Sequence, residues 1–274
     1  MNLLKKAEPL KAGYTHIMGP DNYPLKYIKF GRLLLDEKVD CHQENTGPDE
    51  LAVNIFSGRC DISVDGEKPW TDLGGRESIF QGPPTMAYIP RNRKWSIKLI
   101  SETADMGICR VTARRDTKPA LITPDMGRVI DTGKGVWHRQ VAFAIGLDTD
   151  ADRILAGECY TDPGTWASYP PHKHDTTALP KEAWYEEIYH FIVEPKQGFG
   201  YQRIYTAVGD PEPLDEVYVI EDRDSVAIPK GYHPVASAPG YRVGFFWILA
   251  GEEREYAAWS EDPKHSWLQT ARPD

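Results

Sequence analysis

The chain has 274 residues, of which 41% are hydrophobic and 27% charged, and its formal net charge is −9. This composition is typical of a folded globular protein and excludes a disordered chain. The acidic balance argues against nonspecific binding to nucleic acid or to an anionic membrane, because both need a basic face. An anionic small substrate would therefore need a local basic pocket.

The N-terminal segment MNLLKKAEPLKAGYT lacks the apolar core of a secretion signal. No apolar run in the sequence has the length needed to span a bilayer. The four cysteines lie far apart and form no C-x-x-C motif, which favours isolated, partly buried thiols over a zinc ribbon or a disulfide framework. These features predict a cytoplasmic protein that interacts with neither membrane nor nucleic acid.

Short segments rich in β-branched and aromatic residues recur between glycine and proline turns, and no stretch has a sustained helical period. Many short strands at this spacing predict an all-β sandwich or barrel. The predicted strands, in chain order, are 50–58, 85–90, 95–101, 154–161, 186–194, 198–206, 216–222, 225–229 and 241–251.

The strand pattern divides near the middle of the chain. Residues 1–110 and 141–251 each resemble a set of strands that ends in a proline-containing turn. In the first set this turn is IPRNRKWSI (89–97), and in the second it is IPKGYHPVA (228–236). The pattern indicates a weak internal duplication, with residues 112–135 as the connection between the two parts.

Two histidines separated by one residue occur in WASYPPHKHD (166–175). Residues i and i+2 of a strand point to the same face, so His172 and His174 are expected to share a face while Lys173 points away. An H-x-H pair is a weak motif by itself. Its interpretation depends on the residues that follow.

Two further stretches supply partners for this pair. A strand-like run opens with Glu186 and Glu187, and IPKGYHPV (228–235) places His233 after a Pro-x-Gly turn. Three histidines and a carboxylate on separate strands can converge inside a barrel, and such a set suits a catalytic Zn, Mn, Fe or Ni ion. The two glutamates point to opposite faces, and the hydrophobic period allows either one to face inward.

The combination of H-x-H, a glutamate at the start of the next strand, and P-x-G-x-H resembles the two motifs of the cupin superfamily. The series YPPHKHD, EEIY, QGFGYQRIYT and LDEVYVIEDRDSVAIPKGYHPV is similar to the 5-deoxy-glucuronate isomerase family of myo-inositol catabolism, a relative of 5-keto-4-deoxyuronate isomerase. The similarity extends from GGRESIFQGPPTMAYIP (74–90) to EDPKHSWL (261–268) and so covers nearly the whole chain.

The resemblance implies a bicupin, with two jelly-roll β-barrels and a metal site in the C-terminal barrel. The expected divisions are a degenerate N-terminal barrel at 1–111, a connecting segment at 112–140 and a metal-binding barrel at 141–274. The first half has no histidine between His42 and His138, and PRNRKW stands in place of a P-x-G-x-H turn. The N-terminal barrel is therefore expected to be structural and to bind no metal.

The ligands implied by the resemblance are His172, His174, Glu187 and His233. The cupin motif places its glutamate immediately before the apolar strand, which favours Glu187 over Glu186. Zinc is the expected ion, and Mn, Ni and Fe are alternatives because the ligand types do not decide among these metals.

The implied reaction is the aldose–ketose isomerisation of 5-deoxy-D-glucuronate to 5-dehydro-2-deoxy-D-gluconate. A side chain that moves the proton between adjacent carbons is expected among Glu186, Tyr189, Tyr218 and Tyr232, which the sequence does not rank. A hydride shift is an alternative route. An Fe(II) cupin dioxygenase and a non-catalytic cupin that binds sugar acids are alternative functions.

Three cations are candidates for binding the sugar-acid substrate. Arg203 lies between aromatic residues and is either a clamp for a substrate carboxylate or the partner of a carboxylate within the protein. Lys173 and Lys230 flank the expected ligands and either add positive charge to the site or are simply solvated. His190 is expected to be a hydrogen-bonded structural residue. The sequence leaves the oligomeric state open, a homo-oligomer included.

Overall fold

A computed structural model describes residues 2–9, 11–255 and 258–270. Within these ranges the chain forms β-strands and three short 3-10 helices, Ile79–Gln81, Gly135–Trp137 and Ser266–Gln269, with no α-helix. The prediction of an all-β fold is confirmed. No helix in the described part of the chain has the length and apolarity that a membrane-spanning helix requires.

The strands are short and follow one another closely. They are β1 (Leu4–Lys5), β2 (Gly13–Met18), β3 (Lys29–Leu35), β4 (Cys41–Asn45), β5 (Asp49–Ser57), β6 (Arg59–Val64), β7 (Trp70–Gly74), β8 (Thr85–Ile89), β9 (Lys94–Leu99), β10 (Ala104–Thr112), β11 (Ala120–Ile122), β12 (Arg128–Thr132), β13 (Arg139–Ile145), β14 (Ile154–Thr161), β15 (Trp166–Ala167), β16 (His172–Lys173), β17 (Tyr185–Glu194), β18 (Phe199–Tyr205), β19 (Asp215–Glu221), β20 (Ser225–Ile228), β21 (Val235–Ser237), β22 (Arg242–Gly251) and β23 (Ser260–Glu261). All nine segments expected to be strands overlap one of these.

The chain forms two compact units. The first unit comprises Met1–Ala7, Val129–Val141 and Glu158–Asp274. The second unit comprises Glu8–Arg128 and Ala142–Gly157. The division into 1–111, 112–140 and 141–274 expected from the sequence stays a prediction.

The second unit contains a six-stranded sheet, in the order β11-β8-β5-β10-β3-β2, and a four-stranded sheet, in the order β4-β9-β6-β7. Val53 and Ile108 of the larger sheet and Ile62 and Ile97 of the smaller one belong to a single buried apolar cluster. In β9 the buried residues alternate with more exposed ones, because successive side chains of a strand point to opposite faces. The two sheets of this unit therefore enclose its core.

The first unit contains β1, β20, β17 and β22, which are consecutive strands of one sheet, and it also contains the sheets β15-β21-β18-β19 and β16-β23. Strand β17, which pairs with β20 and β22, is buried from Tyr185 to Val193. The ring of Tyr189 lies 4.2 Å from that of Phe245, and the ring of Phe191 lies 5.5 Å from it. This aromatic packing holds the strand that carries Glu186 and Glu187.

Candidate metal centre

Three histidines of the first unit converge. Ring nitrogens of His172, His174 and His233 all lie within 4.8 Å of one another. His172 begins the short strand β16, His174 follows this strand, and His233 follows the turn after β20. His233 is fully buried, His174 is nearly so and His172 is half-buried. The histidine cluster is therefore accessible from the side of His172.

Glu187 lies beside these histidines. Its Oε2 atom is 3.2 Å from Nε2 of His174 and 3.3 Å from Nε2 of His233. In the pairing of β17, Glu187 is opposite Ile228 on one side and Leu249 on the other. Because neighbouring side chains of a strand point to opposite faces, Glu186 is directed away from the cluster.

Backbone carbonyls fix the orientation of two of the imidazole rings. Nδ1 of His174 lies 3.0 Å from the carbonyl oxygen of Tyr185, and Nδ1 of His233 lies 2.9 Å from that of Gly231. A carbonyl only accepts, so each Nδ1 must be the donor. The Nε2 atoms then face Glu187 and, in the neutral rings, carry the lone pair that a metal ligand needs.

Burial controls the protonation of these groups. It lowers the pKa of His233 to about 3 and that of His172 well below its ordinary value, and neighbouring histidines add to both effects. Burial alone would lower the pKa of His174, but the hydrogen bond with the Glu187 carboxylate raises it above its ordinary value. Burial raises the pKa of Glu187. His172 and His233 are thus neutral at neutral pH, the form that binds metal.

The arrangement fits a divalent metal. Among the described residues, Nε2 of His233 is a buried nitrogen without a hydrogen-bond partner, although it lies beside the Glu187 carboxylate. A buried polar atom that lacks such a bond is costly to a folded protein unless something else binds it. Three imidazoles and one carboxylate are the ligand types of catalytic Zn, Mn, Fe or Ni sites. The residues present therefore match the group that the sequence predicts.

Hydrogen bonds hold the segment that carries two of the histidines. Nζ of Lys173 donates to the carboxylate of Asp175 and, over 2.8 Å, to that of Glu182. Asp175 also accepts a 2.8 Å hydrogen bond from the amide of Gly231. Lys173 is thus directed away from the cluster, as the strand period predicts, and it belongs to an ion-paired network beneath the H-x-H segment.

The other two predicted substrate-binding cations are also paired with carboxylates. The guanidinium of Arg203 forms two hydrogen bonds, of 2.7 and 2.8 Å, with Asp215, and it lies 4.1 Å from the ring centre of Tyr205. Lys230 donates a 2.8 Å hydrogen bond to Asp210. Of the two alternatives for Arg203, the structure contains the ion pair.

The four candidates for proton transfer lie in different surroundings. The ring of Tyr189 is 5.9 Å from that of His233, and its hydroxyl is 2.8 Å from the hydroxyl of Ser168. Burial and the Glu187 carboxylate raise the pKa of Tyr189 well above its ordinary value.

The remaining candidates have other contacts. The hydroxyl of Tyr218 accepts a hydrogen bond from the amide of Leu3, and the ring of Tyr232 packs 5.0 Å from that of Tyr205. Glu186 is buried on the other face of β17. Tyr189 is the candidate that the structure places beside the histidine cluster. His190 is buried 2.8 Å from the Ser225 hydroxyl, within hydrogen-bond distance.

Three residues near the cluster were not predicted from the sequence. The ring of Trp259 lies 5.5 Å from that of His172, and Ser168 contacts Tyr189. Arg139 of β13 donates to the carbonyl of Tyr169, three residues before His172, over 2.8 Å. Trp259 and Arg139 are distant from the H-x-H motif in the sequence, so no local spacing marks them. Ser168 lies within the segment 166–175, and its contact with Tyr189 is evident only in the structure.

The chain is similar to known proteins along nearly its whole length. Residues 3–268 match the model of the KduI/IolB family. A protein of Halalkalibacterium halodurans named 5-deoxy-glucuronate isomerase is 34% identical over 272 residues, covering 97% of this chain and 98% of its own length. A protein of the same name from Geobacillus kaustophilus is 30% identical over 271 residues, covering 98% of this chain and 96% of its own.

Solved structures share the fold. An IolB-like protein from Salmonella typhimurium LT2 superposes with a TM-score of 0.90 at 28% identity, covering 98% of this chain and 100% of its own. Oxalate decarboxylase of Lactobacillus farciminis gives a TM-score of 0.69 at 9% identity, covering 99% of this chain and 91% of its own, and shows likeness of fold alone. The family match and the relatives at 30–34% identity along nearly the entire sequence show that this chain belongs to the KduI/IolB family and is an isomerase.

Proposed function

We propose that this protein is a metal-dependent aldose–ketose isomerase that converts 5-deoxy-D-glucuronate into 5-dehydro-2-deoxy-D-gluconate in myo-inositol catabolism. The observation that carries the proposal is the convergence of His172, His174 and His233 on the Glu187 carboxylate. The names of relatives that align along nearly the entire chain supply the substrate.

The isomerisation moves hydrogen without net oxidation. The carbon next to the aldehyde loses a proton, the aldehyde carbon gains one, and a hydroxyl proton passes to the former aldehyde oxygen. An enediolate is the intermediate, and its negative charge must be stabilised as it forms. When bound, a divalent metal supplies Lewis-acid stabilisation of that charge.

The residues of the chain then have distinct roles. His172, His174, Glu187 and His233 would hold the ion, with zinc expected and Mn, Ni or Fe as alternatives. Tyr189 is proposed as the proton-transfer group, because its ring lies 5.9 Å from that of His233 and its hydroxyl is hydrogen-bonded to Glu187 and contacts Ser168. The half-buried His172 and the partly exposed Trp259 beside it mark the side from which substrate enters.

The test is direct. Purified protein of measured metal content is incubated with 5-deoxy-D-glucuronate, and the ketone product is followed by NMR. We expect turnover by the wild-type protein and its loss in His172→Ala and His233→Ala. Absence of turnover by metal-loaded wild-type protein would contradict the proposal. Oxygen uptake by an iron-loaded protein would instead indicate a dioxygenase.

A further inference from the structure

The three cations that the sequence offers for substrate binding are already ion-paired. Arg203 is paired with Asp215, Lys230 with Asp210, and Lys173 with two carboxylates. A substrate carboxylate that approached one of them would have to compete with a carboxylate of the protein. A sugar-acid site needs a cation whose charge is not yet neutralised.

Arg139 is such a cation. It lies at the start of β13, half-buried, and its Nη1 atom donates to the carbonyl oxygens of Tyr169 at 2.8 Å and Trp137 at 3.3 Å. In the part of the chain that the structure describes, these carbonyls are its hydrogen-bond partners and it forms no ion pair with a carboxylate. A guanidinium has five N–H donors, so Nε and Nη2 keep donors for a ligand.

The position of Arg139 relates it to the histidine cluster. The Tyr169 carbonyl that it contacts belongs to the segment YPPHKH, which leads directly into His172. The half-buried guanidinium therefore lies against the segment that carries a proposed ligand.

We propose that Arg139 binds the carboxylate of the sugar-acid substrate while the aldehyde end of the same molecule lies at the histidine cluster. This inference rests on the proposed function and adds the residue that selects an acid over a neutral sugar. Arginine suits the role because its planar fork forms two parallel hydrogen bonds with a carboxylate. The contact with Tyr169 fixes the side chain before substrate arrives, which reduces the entropy lost on binding.

The first experiment compares Arg139→Gln and Arg139→Lys with wild-type protein on two substrates. One is 5-deoxy-D-glucuronate, and the other is the neutral aldose with a hydroxymethyl group in place of the carboxylate. We expect Arg139→Gln to reduce the acid-to-neutral ratio of kcat/KM by about 10- to 100-fold, the range for a hydrogen bond to a charged group. The ratio for Arg139→Lys should lie between those of the wild-type protein and Arg139→Gln, because lysine keeps the charge but lacks the planar fork of the guanidinium.

The second experiment measures binding without turnover. Calorimetry gives the affinities of D-glucuronate and D-glucose for wild-type protein, Arg139→Gln and the surface control Arg59→Gln, all at equal metal content. Arg59 is exposed and lies in the second unit. We expect only Arg139→Gln to weaken glucuronate binding, by the same about 10- to 100-fold, with glucose binding unchanged.

The outcomes separate the two proposals. Failure of the wild-type protein to convert 5-deoxy-D-glucuronate contradicts the proposed function, and the binding measurement still decides the role of Arg139. Equal glucuronate affinity in the wild-type protein and Arg139→Gln overturns the inference. So does an equal loss of affinity for both sugars, since Arg139 would then merely hold the segment before His172.

Discussion

The carboxylate of Asp175 accepts a 2.8 Å hydrogen bond from the backbone amide of Gly231. This bond joins the segment that carries His172 and His174 to the turn that carries His233. Lys173 donates to the same carboxylate and so orients it. The chain therefore holds the two histidine-bearing segments together through its own contacts, and the proposed ligands are positioned before any ion binds.

Replacing Asp175 tests this positioning. Asp175→Ala removes both the Gly231 contact and the Lys173 pair, so we expect metal affinity to fall by about 10- to 100-fold, as for other groups that orient metal ligands. Competition with a chromogenic chelator measures the affinity. Asp116→Ala is the matched control, since the Asp116 side chain is 82% exposed and lies in the second unit. Equal affinities of the two variants would contradict the expectation.

The two adjacent glutamates allow a paired test of the ligand set. Glu187→Gln replaces the carboxylate beside His174 and His233 and should purify with much less metal than the wild-type protein. Glu186→Gln changes the opposite face of β17 and should keep its metal. Elemental analysis of both proteins gives the answer. Metal lost from Glu186→Gln and kept by Glu187→Gln would reverse the assignment.

Tyr189→Phe tests the proposed proton-transfer group. The substitution removes only the hydroxyl, so the ring packing on Phe245 and the metal content should remain. We expect kcat to fall by about 10²- to 10⁴-fold, the usual contribution of a positioned acid or base, with a smaller change in KM. Steady-state kinetics with metal analysis check this. Tyr201→Phe, at an exposed tyrosine, is the control. A kcat of Tyr189→Phe equal to that of the wild-type protein would exclude Tyr189 as the proton-transfer group.

Asp152 makes the second unit sensitive to acid. Burial alone would raise its pKa, but hydrogen bonds from Arg114 lower the pKa below the ordinary 3.8. A carboxylate with a depressed pKa stabilises the fold above its ordinary pKa, and this contribution is lost as pH falls through the lower, folded-state value. Asp152→Asn should therefore cost about 1–3 kcal/mol at neutral pH.

The pH dependence distinguishes this ion pair from a packing effect. The difference in free energy of unfolding between wild type and Asp152→Asn should shrink as pH falls below 3.8. Urea unfolding followed by circular dichroism over this range measures it, with Asp116→Asn as the exposed control. A difference that stays constant with pH would show that the Arg114 pair does not cause it.

The sequence by itself determined the all-β fold, since short segments of β-branched and aromatic residues between frequent turn residues leave few other ways to bury these side chains. It also predicted that His172, His174 and His233 belong to one site. The H-x-H spacing and the P-x-G-x-H turn are local patterns, so this prediction needs no knowledge of neighbouring strands.

Only the tertiary structure decided which glutamate faces the histidines. Glu186 and Glu187 both open an apolar run, and only the folded sheet brings the Glu187 carboxylate to His174 and His233. The tertiary structure also revealed the ion-pair partners of the cations, such as Asp215 for Arg203. It alone places Arg139 beside the segment before His172. Local spacing encodes a strand face, whereas ion pairs and the approach of distant strands arise only once the sheets have formed.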